Sequence, residues 1–145
     1  MYKRILLAYD GSESGRKALL DCKDIVQWSG GRLTLIAVMP HHIDFIGAEG
    51  GFYDPKLTER EKQSYQSILE QGLRELSEAG FEADGEVLVG DVVTEITGFA
   101  RKIEADLIVV GHRHLEGWAA RWWRGSSSSA LIEHAHCSVL VAITT

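Results

Sequence analysis

The residues of this chain best suited to chemistry lie in two short stretches late in the sequence. Residues 111–114 read Gly-His-Arg-His and follow the largely apolar run 105–110, whereas residues 124–129 read Arg-Gly-Ser-Ser-Ser-Ser and open a helical pattern. Glycine lets backbone N–H groups approach an anion closely, and a helix N-terminus supplies further donors and a partial positive charge. The two stretches therefore predict a loop that binds phosphate groups and ends at a serine-capped helix.

An alternation of strand and helix patterns must position this loop. Strands are predicted at residues 5–9, 33–38, 86–89, 107–110 and 139–143. Helices are predicted from Ser12 or Ser14 to about Trp28, from a capping box at 58–61 through Leu76, over the apolar stripe at 93–103, and from Ser126 to about His134. Glycines at 30–31 and at 80 end the first two helices. The alternation predicts an α/β fold, an essentially parallel sheet with right-handed crossovers and helices on both faces.

In such a sheet, ligands bind at the carboxyl ends of the strands, where the strand order reverses. Three loops are available at that edge: residues 10–12 (Asp-Gly-Ser), residues 38–40 (Val-Met-Pro) and the loop that opens at Gly111. They bring an acidic residue, a backbone edge and the phosphate-binding loop to one crevice.

Length, charge and cysteine content restrict the classes of function. The chain of 145 residues is predicted to form one domain, residues 1–145, and its net charge of −6 argues against broad nucleic-acid binding. No apolar run is long enough to cross a membrane. Cys22 and Cys137 lack metal-ligand spacing and fall within apolar patterns, so we expect buried free thiols in a cytoplasmic protein.

The sequence predicts neither a metal site formed by protein ligands alone nor a catalytic residue. The paired histidines at 41–42, 112–114 and 134–136 lack the spacing of a helix-borne metal site. The chain has neither a nucleophile-elbow motif nor a P-loop, so no catalytic residue is assigned. Asp10 or Asp91 could hold Mg²⁺ beside bound phosphates, which leaves slow nucleotide hydrolysis open.

The order of these features resembles the universal stress protein family over essentially the whole chain. The resemblance is carried by residues 4–14 (RILLAYDGSES), by Gly90-Asp91 before a helix, by residues 106–112 (DLIVVGH) and by residues 134–141 (HAHCSVLV). It implies a five-stranded parallel sheet in the order 3-2-1-4-5, usually dimerised through the final strand.

The resemblance also addresses nucleotide binding. Family members that bind ATP carry a glycine, two residues, a second glycine, nine residues, a third glycine and then serine or threonine. Gly111, Gly125 and Ser126 match the first and last elements, whereas His114 stands in place of the second glycine and the stretch to Gly125 is one residue longer. Histidine tolerates the left-handed backbone region better than most residues, and its ring can donate to phosphate. The resemblance thus implies ATP or ADP as cofactor and allows Mg²⁺ beside it.

The nucleotide-binding residues that the resemblance assigns are Ala8, Asp10, Val38, Gly111, His114, Gly125, Ser126 and Ser127. Asp10 resembles the acidic residue that meets the adenosine, where a carboxylate accepts from a ribose hydroxyl. Ala8 and Val38 would offer apolar walls and backbone groups to adenine. Asp10 and Ser126 also have a structural interpretation, since either could cap the helix that follows it.

Two classes of function fit these observations. The first is a nucleotide-binding stress-response regulator that forms a homodimer through residues 139–143, an apolar strand predicted at the sheet edge. The alternative is a dimeric interaction module of the same fold that binds no nucleotide. In either class the tryptophan-rich stretch 118–123 is expected to cover the core or to contact a protein partner.

Overall fold

A computed structural model describes residues 2–40, 55–113 and 127–144 of the chain. Strands and helices alternate through these ranges: β1 (Arg4–Ala8), α1 (Glu13–Ser29), β2 (Arg32–Met39), α2 (Pro55–Glu78), β3 (Ala83–Val89), α3 (Val92–Lys102), β4 (Leu107–Arg113), α4 (Ser127–His134) and β5 (Ser138–Thr144). The alternation follows the predicted one element by element.

The five strands form one parallel sheet in the order β3-β2-β1-β4-β5. β1 lies in the middle, where Leu7 is in register with Leu35 of β2 on one side and with Val109 of β4 on the other. The strand order reverses at β1, because β2 and β3 lie to one side of it and β4 and β5 to the other. The predicted fold and strand order are therefore confirmed.

The side chains of β1 alternate between two apolar layers, as the pleat of a strand requires. Ile5 and Leu7 are fully buried among residues of α1 and α2, whereas Leu6 is fully buried with Ile108 among residues of α3 and α4. Complete burial of one such side chain contributes about 1.5–3 kcal/mol to folding. The two layers hold the carboxyl end of β1 from both faces.

Both ends of α1 follow the sequence prediction. Ser12 is the N-cap, and its Oγ accepts a hydrogen bond from the backbone N–H of Gly15 at 3.1 Å. At the other end, Gly30 adopts a φ of +69° and donates its N–H to the carbonyl of Val26 at 2.7 Å. Glycine suits this left-handed position because it has no Cβ to clash.

Two predicted element starts are wrong. α2 begins at Pro55 rather than at the capping box of residues 58–61, since the fixed φ and missing N–H of proline suit the first position of a helix. β3 begins at Ala83 rather than at Glu86, because its first residues pair with β2 in a register that sets Leu33 beside Ala83.

The predicted end of β4 is also wrong. The sequence interpretation closes this strand at Val110 and opens the phosphate-binding loop at Gly111, but residues 111–113 are strand residues. They pair with residues of β5 that lie far along the sequence, so a local pattern cannot predict the pairing. His112 is in register with Ile143, and Arg113 with Thr144. Gly111 is thus a residue of β4, near the carboxyl-terminal end of the strand.

Candidate functional site

A crevice of about 240 Å³ opens at the carboxyl ends of β1, β2 and β4, where the strand order reverses. Four of the predicted site residues line it: Ala8, Asp10, Val38 and Gly111. They come from three strand ends that are widely separated in the sequence. The parallel sheet brings them together because all its strands end on the same side.

The crevice also contains residues that the sequence interpretation did not assign to the site: Tyr9, Gly15, Pro40, Tyr65, Val92, Ile96, Val110 and Leu131. Most of them lie inside the predicted strands and helices, whose patterns do not indicate a ligand site. They are contributed by all four helices as well as by the sheet, so their convergence depends on how the helices pack. The resulting lining is apolar on the α3 and α4 side.

Asp10 forms a tight turn between β1 and α1. Its Oδ1 accepts hydrogen bonds from the backbone N–H of Ser12 at 2.9 Å and from the Ser12 hydroxyl, and Gly11 between them has a φ of +81°. Asp10 itself is exposed, and its Oδ2 accepts no hydrogen bond from the residues described. One carboxylate oxygen thus shapes the turn, and the other remains an acceptor on an exposed side chain.

Tyr9 fixes the strand end that presents Asp10. Its backbone N–H donates to the carbonyl of Ile36 at 2.9 Å, and its side chain is only 3% exposed. A Cβ on Gly72 of α2 would lie 2.9 Å from Tyr9 Cδ1, so the helix can approach the ring only because that residue is glycine. Burial, followed by the negative charge of Glu75, raises the pKa of Tyr9, which stays a neutral phenol.

The opposite wall begins at the N-terminus of α3. Asp91 is the N-cap, and its Oδ2 accepts from the backbone N–H of Thr94 at 3.0 Å and from the Thr94 hydroxyl at 2.7 Å. These hydrogen bonds lower the pKa of Asp91, because they stabilise the charged carboxylate. Gly90 ties the turn to β2 by donating to the carbonyl of Met39 at 3.0 Å. Asp91 therefore supports Val92 and Ile96 in the wall without lining the crevice itself.

The predicted phosphate-binding residues are described only in part. His114, Gly125 and Ser126 lie outside the described residues, as do His41, His42 and the tryptophan-rich stretch 118–123. Ser127 is the first residue of α4, and Leu131 of the same helix reaches the crevice. The helix that the sequence predicts to bind phosphate thus lines the crevice with Leu131, about one turn after its first residue.

Across residues 2–40, 55–113 and 127–144, no group of three or more His, Cys, Asp or Glu side chains is placed to hold a metal ion. Within the same ranges, every helix is too short or too polar to cross a membrane.

Comparison with known proteins decides the family. The family model described as "Universal stress protein family" matches residues 1–142. The chain belongs to the universal stress protein family. It is 32% identical over 143 residues to a universal stress protein of Methanocaldococcus jannaschii, covering 97% of this chain and 82% of that relative. It is 27% identical over 150 residues to a universal stress protein of Synechocystis, covering 97% of each chain.

Solved structures of the universal stress protein family share this fold. One family member in complex with cAMP superposes with a TM-score of 0.73 at 19% identity, covering 99% of each chain. An Arabidopsis thaliana member with AMP bound gives a TM-score of 0.69 at 19% identity, covering 99% of this chain and 92% of that one. A member from Archaeoglobus fulgidus in complex with dAMP gives 0.67 at 18% identity, covering 97% of each chain.

Proposed function

We propose that this chain binds ATP or ADP in the crevice and acts as a dimeric stress-response regulator whose bound nucleotide alters its shape or its partners. One observation carries the proposal: Ala8, Asp10, Val38 and Gly111 line a single crevice at the reversal of strand order. In open parallel sheets this is the place where nucleotides bind.

The apolar part of the crevice suits a purine base. Ala8, Val38 and Val110 come from three adjacent strands, and Leu131 approaches from α4. The volume of about 240 Å³ is below the range of about 300–1,000 Å³ typical of sites that enclose a whole ligand. It fits a ligand whose base and sugar are enclosed while its phosphates extend outward.

The polar groups of the crevice would then form hydrogen bonds with the sugar and the phosphates. Asp10 Oδ2 is an exposed acceptor for a ribose hydroxyl. Backbone N–H groups near Gly111 and at the start of α4, where Ser127 lies, would donate to phosphate oxygens, and the helix dipole favours negative charge there. His114, Gly125 and Ser126 complete the proposed phosphate contacts, with Mg²⁺ as a companion of the triphosphate.

The nucleotides of the related structures support adenine as the base. cAMP, AMP and dAMP differ in sugar and phosphate, but all three contain adenine. We therefore infer an adenine nucleotide for this chain, and we select the di- and triphosphate because the resemblance in the region of Gly111 is to ATP-binding members. No catalytic step is assigned to the site.

Calorimetric titration of the purified chain with ATP, ADP and GTP, each with and without Mg²⁺, tests the proposal. We expect saturable heat with ATP and ADP, and weaker binding of GTP as the matched control for base recognition. Above the dissociation constant, each tenfold increase in ATP should raise the free energy of unfolding by about 1.4 kcal/mol. Absence of heat, together with an unchanged melting temperature at millimolar ATP, would contradict nucleotide binding and leave the interaction module as the function.

The two edge strands support a homodimer through β5. β3 carries exposed Asp84 and Glu86, and charged side chains protect a sheet edge from pairing with another chain. β5 has no charged residue from Ser138 to Thr144, and Ile143 is 52% exposed. Pairing of β5 with its copy about a two-fold axis would satisfy its edge and cover this apolar residue.

The proposal also places the chain in the cytoplasm. Cys22 and Cys137 are free thiols, as expected in a reducing compartment. Only Cys22 is buried; Cys137 is half-buried, so the prediction of two buried thiols is wrong for Cys137. Burial raises the pKa of Cys22 to about 12, so that thiol stays protonated and unreactive at neutral pH.

A further inference from the structure

Tyr65 occupies a position in the crevice that its sequence pattern does not reveal. One face of α2 turns toward the sheet, and it carries Tyr65, Ile68, Leu69, Gly72 and Leu76 at helical spacing. Gly72 packs against the ring of Tyr9, and Ile68 Cγ1 lies 3.4 Å from the point where a Cβ on Gly11 would be. Tyr65 is one turn further along this face, past the end of β1, where it lines the crevice together with Asp10.

This placement gives the described part of the crevice a polar corner. The walls from α3 and α4 are apolar, with Val92, Ile96 and Leu131. At the α2 side, the Tyr65 hydroxyl makes no hydrogen bond to any residue described. Asp10 Oδ2 likewise accepts none from the described residues. Burial and the negative charges of Glu61 and Asp10 raise the pKa of Tyr65, so its hydroxyl keeps the proton it can donate.

The chemistry of this corner selects a neutral group with hydroxyls. A carboxylate repels phosphate but accepts hydrogen bonds from hydroxyls, whereas a phenol can either donate or accept. A sugar diol can bind both side chains, because one hydroxyl can donate to the Asp10 carboxylate while its neighbour accepts from the Tyr65 phenol. An adenine edge also pairs a donor, N6–H, with an acceptor, N1 or N7. We assign the sugar to this corner because the apolar walls of α3 and α4 already suit the base.

We propose that Tyr65 is a specificity-determining residue that, together with Asp10, holds the ribose hydroxyls and makes the site prefer ribonucleotides over deoxyribonucleotides. This inference rests on the proposed nucleotide-binding function. It extends that function by naming the part of the ligand that α2 recognises.

The test uses the full chain and its Tyr65→Phe variant, which keeps the aromatic ring and removes only the hydroxyl. Each is titrated with ATP, 2′-deoxy-ATP and 3′-deoxy-ATP by calorimetry. Tyr2→Phe is the matched control, since Tyr2 lies at the opposite, amino-terminal end of the sheet beside Trp28 and Asp106. Melting temperatures of all variants show whether the fold is retained.

We expect wild-type protein to bind ATP more tightly than at least one deoxy analogue. Tyr65→Phe should weaken ATP binding roughly three- to tenfold, the effect of losing one hydrogen bond between neutral groups. It should leave unchanged the affinity for the analogue that lacks the contacted hydroxyl, and Tyr2→Phe should change none of the affinities.

The alternative outcomes are distinct. An unchanged ATP affinity in Tyr65→Phe, or an equal loss for ATP and both analogues, would overturn the role of Tyr65 while leaving nucleotide binding intact. A wild-type chain that binds none of the three nucleotides would overturn the proposed function and this inference with it.

Discussion

The Asp10 carboxylate accepts a hydrogen bond from the backbone N–H of Ser12 at 2.9 Å, and the Ser12 hydroxyl in turn accepts one from Gly15 at 3.1 Å. The chain of bonds links the end of β1 to the first turn of α1. It engages only Oδ1 of the carboxylate, which leaves Oδ2 for a ligand. The structural and the ligand-binding interpretations of Asp10 are therefore compatible, since they use different oxygens.

Substitutions at Asp10 should separate these two roles. In Asp10→Asn the amide oxygen can still accept from Ser12, so the melting temperature should stay close to that of the wild type. ATP affinity should fall roughly tenfold or more, because a charge-assisted hydrogen bond to the ligand is lost. Asp10→Ala should lower both quantities. Calorimetry and thermal unfolding measure them, and an Asp10→Asn variant with wild-type affinity would remove Asp10 from the ligand site.

The sequence predicted the elements well where the signal is local. Continuous apolar runs mark the central strands because both faces of the sheet are covered by helices. Ser12 and Gly30 mark the ends of α1 because caps have specific chemistry. The strand order came from the family resemblance, since periodicity alone does not order parallel strands.

Sequence patterns did not predict the features that depend on contacts between residues far apart in the chain. β4 continues past Gly111 because β5 pairs with it there, and no residue of β4 signals this pairing. In the same way, Tyr65 has the spacing of a core residue of α2, and only the packing of α2 over the turn at Gly11 brings it into the crevice. The charged residues Asp84 and Glu86 could have identified β3 as an edge strand, because charged side chains protect such a strand from pairing with another chain.

The dimer proposal predicts opposite effects for lysine at the two sheet edges. Ile143→Lys places a charge on the exposed apolar side of β5 and should convert the dimer to a monomer, because a buried unpaired charge is costly. Glu86→Lys on β3 is the matched control and should leave the dimer intact. Light scattering at micromolar concentration gives the mass. Wild-type protein of monomer mass would contradict the dimer, as would dissociation by Glu86→Lys alone.

Two glycines with open space around them should respond oppositely to alanine. A Cβ on Gly98 or on Gly30 would meet no atom within 4 Å, but Gly30 has a φ of +69° whereas Gly98 lies within α3. Gly98→Ala should raise the free energy of unfolding by about 0.5–1 kcal/mol, because alanine loses less backbone entropy in a helix. Gly30→Ala should lower it by about 1–2 kcal/mol, because the left-handed region penalises a side chain. Urea unfolding distinguishes the two, and equal effects would contradict the assigned conformations.

The cap of α3 should make part of the stability depend on acid pH. The pKa of Asp91 is lowered in the folded chain, so its contribution is complete above the ordinary aspartate pKa of about 3.9 and is lost as the pH falls through the lowered value. Asp91→Ala should lower the free energy of unfolding by about 1 kcal/mol at pH 7. Asp91→Asn retains a neutral cap, so the advantage of the wild type over this variant should shrink between pH 7 and pH 3. An advantage that is the same at both pH values would show that the cap does not depend on charge.

The position of the bound nucleotide on the chain is the decisive test of the proposed function. Backbone amide chemical shifts of the labelled chain, recorded during an ATP titration, locate the ligand residue by residue. We expect saturable shifts at Tyr9, Val38 and Gly111, which lie at the ends of three separate strands around one crevice. Amides near Tyr2 and Ser138, at the opposite end of the sheet, should not move. An unchanged spectrum at millimolar ATP, or shifts confined to that opposite end, would contradict nucleotide binding in the crevice.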